Sequence, residues 1–173
     1  MARRTYRLCS AVLGVLILGA LLQAANIDKA IADAESRRKG AESSLREIMA
    51  KSDPQIDQAR TSYTTAASSQ NAWLDLVCNT IEQGASAAPD MIGPSQAAAT
   101  ALMDWVAVGG KVLGLPVLKD SVAKDLQKAF TQNLIEIGNT AWKTYSSADE
   151  KTRTEVVTHL KTRLRWKTAQ EVS

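Results

Sequence analysis

From Ile27 onward the apolar residues of this chain recur at spacings of three and four. Ile27, Ile31, Ala34, Ala41, Leu45 and Ile48 fit one heptad register, with Arg38 interrupting it at a seam position. That spacing predicts a coiled-coil-like helix with an alanine-weakened stripe. The register breaks at Ser52-Asp53-Pro54, where Asp53 can cap a helix and Pro54 suits the first helical position. A second stripe then runs through Ile56, Ala59, Tyr63, Ala66, Trp73, Val77 and Ile81. Two helices of similar length about a turn predict an antiparallel helical hairpin over 26–83. A single kinked rod is the alternative, because a four-plus-four stutter across the proline keeps the stripe roughly continuous.

Residues 84–95 hold two glycines and two prolines among small residues and read as a linker. A C-terminal helical region, 96–173, follows. Ser95 caps an alanine-rich helix that is expected to end at Gly109-Gly110. The next stretch, broken by Lys111, Gly114 and Pro116, reads as a buried connection or an interfacial segment and excludes a second straight membrane span. From Pro116 to about Tyr145 an amphipathic helix places Val122, Leu126, Ala129, Phe130, Leu134, Ile137 and Ala141 on one face. The S-x-x-E form of Ser147–Glu150 predicts a capping box opening a last helix, striped by Val156, Val157, Leu160 and Leu164. Nothing alternates with period two, so the fold class is all-α.

The N-terminus is patterned differently. A basic leader, MARRTYR, precedes a charge-free span that lasts until Asp28. Its length, about 20 helical residues or 30 Å, matches the hydrocarbon thickness of a bilayer. Leu8, Val12, Leu16, Leu18, Leu21 and Leu22 are its lipid-facing candidates. Cleavage after Ala24 or Ala25 would put Leu22 or Gln23 at the −3 position, where a small residue belongs. Residues 1–25 are therefore read as a signal anchor, with a cleaved signal peptide as the alternative. Residues 8–25 would meet the bilayer, and the basic flank would stay cytoplasmic. The body would be extracytoplasmic, in a bacterial periplasm, or secreted if cut near Ala24.

Composition thins the expected core. The chain is 45% hydrophobic, but 27 residues are alanine and only 5% are aromatic, which favours helix seams over a thick interior. The net charge of +3 equals the contribution of Arg3, Arg4 and Arg7; residues 26–173 carry 18 basic and 18 acidic side chains. A balanced body gives no reason to expect a nucleic-acid partner. Cys78 is the only cysteine beyond the leader, so it forms no internal disulfide there; it is a small buried hydrophobe or an intermolecular bridge. His159 is the only histidine and has no second ligand at metal spacing. Carboxylate pairs such as Asp33/Glu35 and Asp149/Glu150 sit among lysines and arginines on charged helix faces. With no phosphate-loop, dinucleotide or zinc-protease motif, no catalytic residue, metal or cofactor is expected, nor a small-molecule ligand.

Two features point to contacts instead. The last helix gathers Lys151, Arg153, Lys161, Arg163, Arg165 and Lys167 around Leu160, Leu164 and Trp166, a pattern suited to anionic lipid or an acidic partner, or simply to the helix dipole. The four tryptophans, Trp73, Trp105, Trp142 and Trp166, fall nearly one per helix, either as core anchors or at an interface. The expectation is a non-catalytic, membrane-tethered accessory or scaffold subunit whose helix seams contact other subunits or itself. A membrane-active, phage lysis-type (spanin-like) protein is the alternative, and a soluble exported helical binding protein the next; tether plus coiled coil is an architecture that unrelated proteins share.

Overall fold

The computed structural model describes residues 2–51, 54–87, 92–116 and 119–173, with side chains from Asn26 onward. Among these, the chain forms six α-helices and no strand: α1 (Ala2–Met49), α2 (Ile56–Gln83), α3 (Gln96–Val112), α4 (Asp120–Tyr145), α5 (Glu150–Leu164) and α6 (Ala169–Val172). The anchor read over 1–25, with Leu8, Val12, Leu16, Leu18, Leu21 and Leu22, lies outside the described side chains. Elsewhere no described helix is long and apolar enough to cross a membrane.

The order of contacts along the helices defines the bundle. On α1, Ile27 and Ile31 lie by Ala141 and Tyr145 of α4, whereas Arg37 covers the Phe130 ring, so these two helices are antiparallel. Tyr63 of α2 meets Trp105 of α3, and Gln70 donates to the Ala98 carbonyl, which makes α2 and α3 antiparallel as well. Glu35 and Arg163 pair between α1 and α5, and Arg46 of α1 donates to the carbonyl of Val172 in α6. The chain thus reverses after α1, and a single kinked rod is replaced by separate helices. Direct packing between α1 and α2 is slight; α1 leans mainly on α4, and α2 on α3.

One buried apolar cluster draws on α1 through α6 and is continuous across residues 84–95. Alanines form much of it: Ala30 and Ala34 of α1, Ala59, Ala66 and Ala67 of α2, and Ala101 of α3. Small side chains let the backbones approach, and Tyr63, Trp73 and Trp105 supply the bulk. The expected stripes go inward with one division: in α4, Phe130, Leu134, Ile137 and Ala141 are buried, but Val122, Leu126 and Ala129 are exposed.

Helix ends follow the local chemistry, with several departures from the sequence reading. Ser95 caps α3 as expected, accepting from the Ala98 N–H at 3.2 Å. That helix runs through Gly109-Gly110 to Val112, because Gly109 packs against the Trp105 ring and costs little there. The start of α4 shifts from Pro116 to Asp120. Asp149, not Ser147, caps α5: its carboxylate accepts from the Thr152 N–H at 2.9 Å and from the Thr152 hydroxyl at 2.8 Å. A charged acceptor at the helix N-terminus outcompetes a hydroxyl two residues earlier. The reciprocal capping box belongs to α6, between Thr168 and Glu171.

Two glycines are demanded by close approach. Gly84 closes α2 at φ 67°, a left-handed conformation, beneath the Ser146 carbonyl. Gly138 sits in α4 where an added Cβ would lie 2.5 Å from the Ile92 carbonyl oxygen, while Asn139 accepts from the Ile92 N–H at 3.0 Å. Gly138→Ala is expected to lower stability by about 1–3 kcal/mol, because overpacking against backbone outweighs the roughly 1 kcal/mol of helix propensity gained. Gly40→Ala, in an exposed turn of α1 with nothing within 4 Å, should show the propensity gain alone. Urea midpoints that shift in the same direction for both variants would refute this account.

Candidate functional site

The cationic residues singled out in the last helix are largely engaged within the fold. The Glu35 carboxylate accepts from Arg163 Nε at 2.7 Å and from Lys39 Nζ at 2.7 Å. Arg165 pairs with Asp75 on the surface, a contact worth about 1 kcal/mol at most. Arg153 donates to the Ala148 carbonyl at 2.7 Å, and Lys151 lies 4.0 Å from Glu155. Lys161 is partly exposed and Lys167 exposed. The basic set read from the sequence as one cationic face is therefore partly neutralised by acids from α1 and α2.

The tryptophans go inward too. Trp73, Trp105 and Trp166 are buried, and Trp142 is partly buried against the core. Trp166 packs on Tyr63 at a ring distance of 5.8 Å, and Tyr63 meets Trp105 edge-on at 5.2 Å. In an aromatic-poor chain these rings fill a thin core.

Around Trp166 the extended segment between α5 and α6 is held by side chains from α1 and α2. Asn71 Nδ2 donates to the Trp166 carbonyl at 3.1 Å, and Asn71 Oδ1 accepts from the Trp166 N–H at 2.9 Å. The Tyr63 hydroxyl donates to the Lys167 carbonyl at 2.9 Å. Arg38 Nε donates to the Arg163 carbonyl at 2.9 Å, and Arg38 Nη1 to Glu42 Oε1 at 2.6 Å; the same oxygen accepts from the Lys167 N–H at 3.3 Å. The arginine that interrupts the heptad stripe is thus a buried latch. Burial, reinforced by the Glu42 charge, pushes the Tyr63 hydroxyl well above its ordinary pKa. Burial likewise pushes the Cys78 thiol up to about 11, and its full enclosure excludes the intermolecular bridge considered above.

The hydrogen bond from Lys39, then the one from Arg163, lowers the Glu35 pKa from 4.5 to about 2. Below 4.5 the unfolded chain binds the extra proton first, so the stabilisation is fully present above about 4.5 and is lost as pH falls towards 2. Asp149 and Glu171, lowered by their caps, act in the same direction. Glu35→Gln should therefore be less stable than the parent at pH 7 and converge on it near pH 2.5. Denaturant titrations at the two pH values check this, and a constant gap would count against the pairing.

The remaining feature is apolar and open. At the end of the bundle away from Ile27, the C-terminal half of α3 and the start of α4 enclose a groove of about 600 Å³. Val106 (37% exposed) and Leu115 (57%) line it, and Val122 (43%) and Leu126 (46%) are exposed on the adjoining first turns of α4. Met103, Ala107, Pro116 and Ala123 extend the apolar lining, and Asp104, Lys111 and Asp120 supply charge. A second depression shares Val106, Gly110 and Leu115 and reaches Arg37, Ala41 and Ser44 of α1. Helical rise from Ile27 puts that second depression about 15–25 Å along α1.

The stretch broken by Lys111, Gly114 and Pro116 reads in the sequence as a buried connection or an interfacial segment, but nothing there joins it to Asp120 and Ala123 of α4. His159 lies at the opposite end, by Asp28 and Glu155, and among the described residues no group of three or more His, Cys, Asp or Glu could hold a metal ion. The chemistry the groove offers is binding of apolar surface with a charged margin. In comparison with known proteins, the chain matches no family model, no curated protein and no solved structure.

Proposed function

We propose that this chain is a non-catalytic, membrane-tethered scaffold subunit. Residues 1–25 tether it, the helical bundle acts as a rigid spacer, and the distal groove is its docking face. The observation that carries this reading is the apolar groove with Val106 and Leu115 left exposed in its lining, and Val122 and Leu126 exposed on the adjoining turns of α4. A protein that buries Trp73, Trp105 and Trp166 yet leaves four large apolar side chains in water at one end has a surface suited to a partner. The polar network around Arg38, Glu42 and Tyr63 is absorbed in holding the C-terminal segment, which leaves it a structural task.

Photocrosslinking of the full chain in its own membrane tests the proposal. A benzophenone amino acid at Leu115 is expected to give a defined protein adduct. The same probe at Leu76, an exposed apolar position on α2, should give none. Absence of any protein adduct from Leu115 would sink the scaffold reading.

A further inference from the structure

Resting on the tether reading of residues 1–25, we infer that the Ile27 end of the bundle is a foot that seats on the headgroup surface of the bilayer. The foot is the turn between α4 and α5 with the end of α2 beside it. Chain connectivity carries the placement. Ile27 is two residues beyond Ala25, so it lies within about 7 Å of the end of the apolar span by any path. The headgroup layer on each side of the hydrocarbon is itself about 5–8 Å deep. Ile27 and Asp28 line one depression with Tyr145 and Thr152, which flank the turn between α4 and α5. A Cβ added to Gly84, at the end of α2, would lie 2.9 Å from the Ser146 carbonyl oxygen, so α2 ends at the same level.

The orientation follows from α1. That helix runs unbroken from Ala2 to Met49, and no glycine or proline lies between Gly19 and Gly40 to kink it where the tether becomes bundle. The bundle therefore stands as a continuation of the tether and does not swing from it. A short, stiff connection keeps the foot at high effective concentration against the surface, so weak contacts suffice. Tyr145 packs its ring against the core and is partly exposed at this end, the position an amphipathic ring takes at a membrane interface.

Charge selects the lipid class. At this end Lys29, Lys143, Lys151 and Arg153 are met by Asp28, Glu82, Asp149, Glu150 and Glu155, which leaves no cationic patch to favour anionic lipid. The surface fitted by the foot is zwitterionic. Seating it there would hold the depression at Arg37, Ala41 and Ser44 about 15–25 Å above the bilayer.

The full chain in phosphatidylcholine vesicles, carrying one fluorescent amino acid at a time, reads this directly. Leu16 reports the tether, Ser147 the foot, and Lys51 the far end of α1; Ser147 and Lys51 are both exposed. Circular dichroism confirms that each labelled chain folds. Spin-labelled headgroups are expected to remove most of the Ser147 emission and leave that of Lys51 unchanged, while acyl-chain spin labels quench Leu16.

Quenching at Leu16 without quenching at Ser147 overturns the foot and leaves the tether standing. No quenching at Leu16 overturns both. Equal quenching at Lys51 and Ser147 shows a bundle lying on its side and overturns the upright seating. Quenching at Ser147 that appears only when phosphatidylglycerol is added overturns the zwitterionic assignment.

Discussion

Arg38→Met is expected to destabilise the protein by about 3–5 kcal/mol, the cost of leaving a buried carboxylate without its partner. Arg38 and Glu42 are 7% and 6% exposed, and their 2.6 Å contact is the only ion pair of Glu42 among the described residues. The loss would be a large share of the roughly 5–15 kcal/mol that holds a domain together. It should lower the thermal midpoint by about 10 °C or more for a chain of this size. Arg38→Met/Glu42→Leu removes the orphaned charge and should regain part of the loss. Recovery stays incomplete, because the Arg163 carbonyl and the Lys167 N–H then lose their partners. Thermal or urea unfolding of the three proteins decides the matter; a single variant within about 1 kcal/mol of the parent would show that the pair is not holding the C-terminal segment.

Trp166→Ala should cost a comparable 3–5 kcal/mol, the range for truncating a buried aromatic. The indole contributes apolar burial against the Tyr63 ring, and its backbone is gripped by Asn71. Emptying that position loosens the segment that joins α5 to α6, so the loss should be regional as well as global. Amides of Lys167 and of α6 should exchange with solvent faster than those of α2. Trp166→Phe keeps the ring contact and should lose less than half as much. If hydrogen exchange rose uniformly over all helices, the local role assigned to Trp166 would be wrong.

The two predictions differ in how far the sequence anticipated them. Arg38 stood out as a break in the seam, but its contact with the Arg163 carbonyl, 125 residues away, was not legible. Glu42 is one turn along and could be read from spacing; the Lys167 N–H that it also accepts could not. Trp166 was legible as an amphipathic ring beside basic residues, a pattern that suits a lipid surface as readily as a core. Its inward placement depends on Asn71 and Tyr63, residues that mark nothing by themselves.

The candidate groove shows the same boundary. Period and polarity place Val122, Leu126, Ala129, Phe130, Leu134, Ile137 and Ala141 on one face of α4, and that inference concerns a single helix. Whether each turn of the face is covered depends on how far its neighbours extend. α1 and the segment at Ile92–Gly93 cover α4 from Phe130 onward. Its first three turns run beyond them, so half of one stripe became core and half became surface.

The all-α class, the inward stripes of α1, α2 and α5, the cap at Ser95 and the charge balance of the body are legible along the chain. Each follows from interactions within a few residues: helical periodicity, side-chain capping and backbone propensity. The packed bundle adds that α2 lies chiefly on α3, that Arg163 and Arg165 answer to Glu35 and Asp75, and that the apolar face of α4 is open at one end. Those outcomes rest on contacts between residues far apart in the chain, which are set by the competition of all helices for one limited, alanine-rich core.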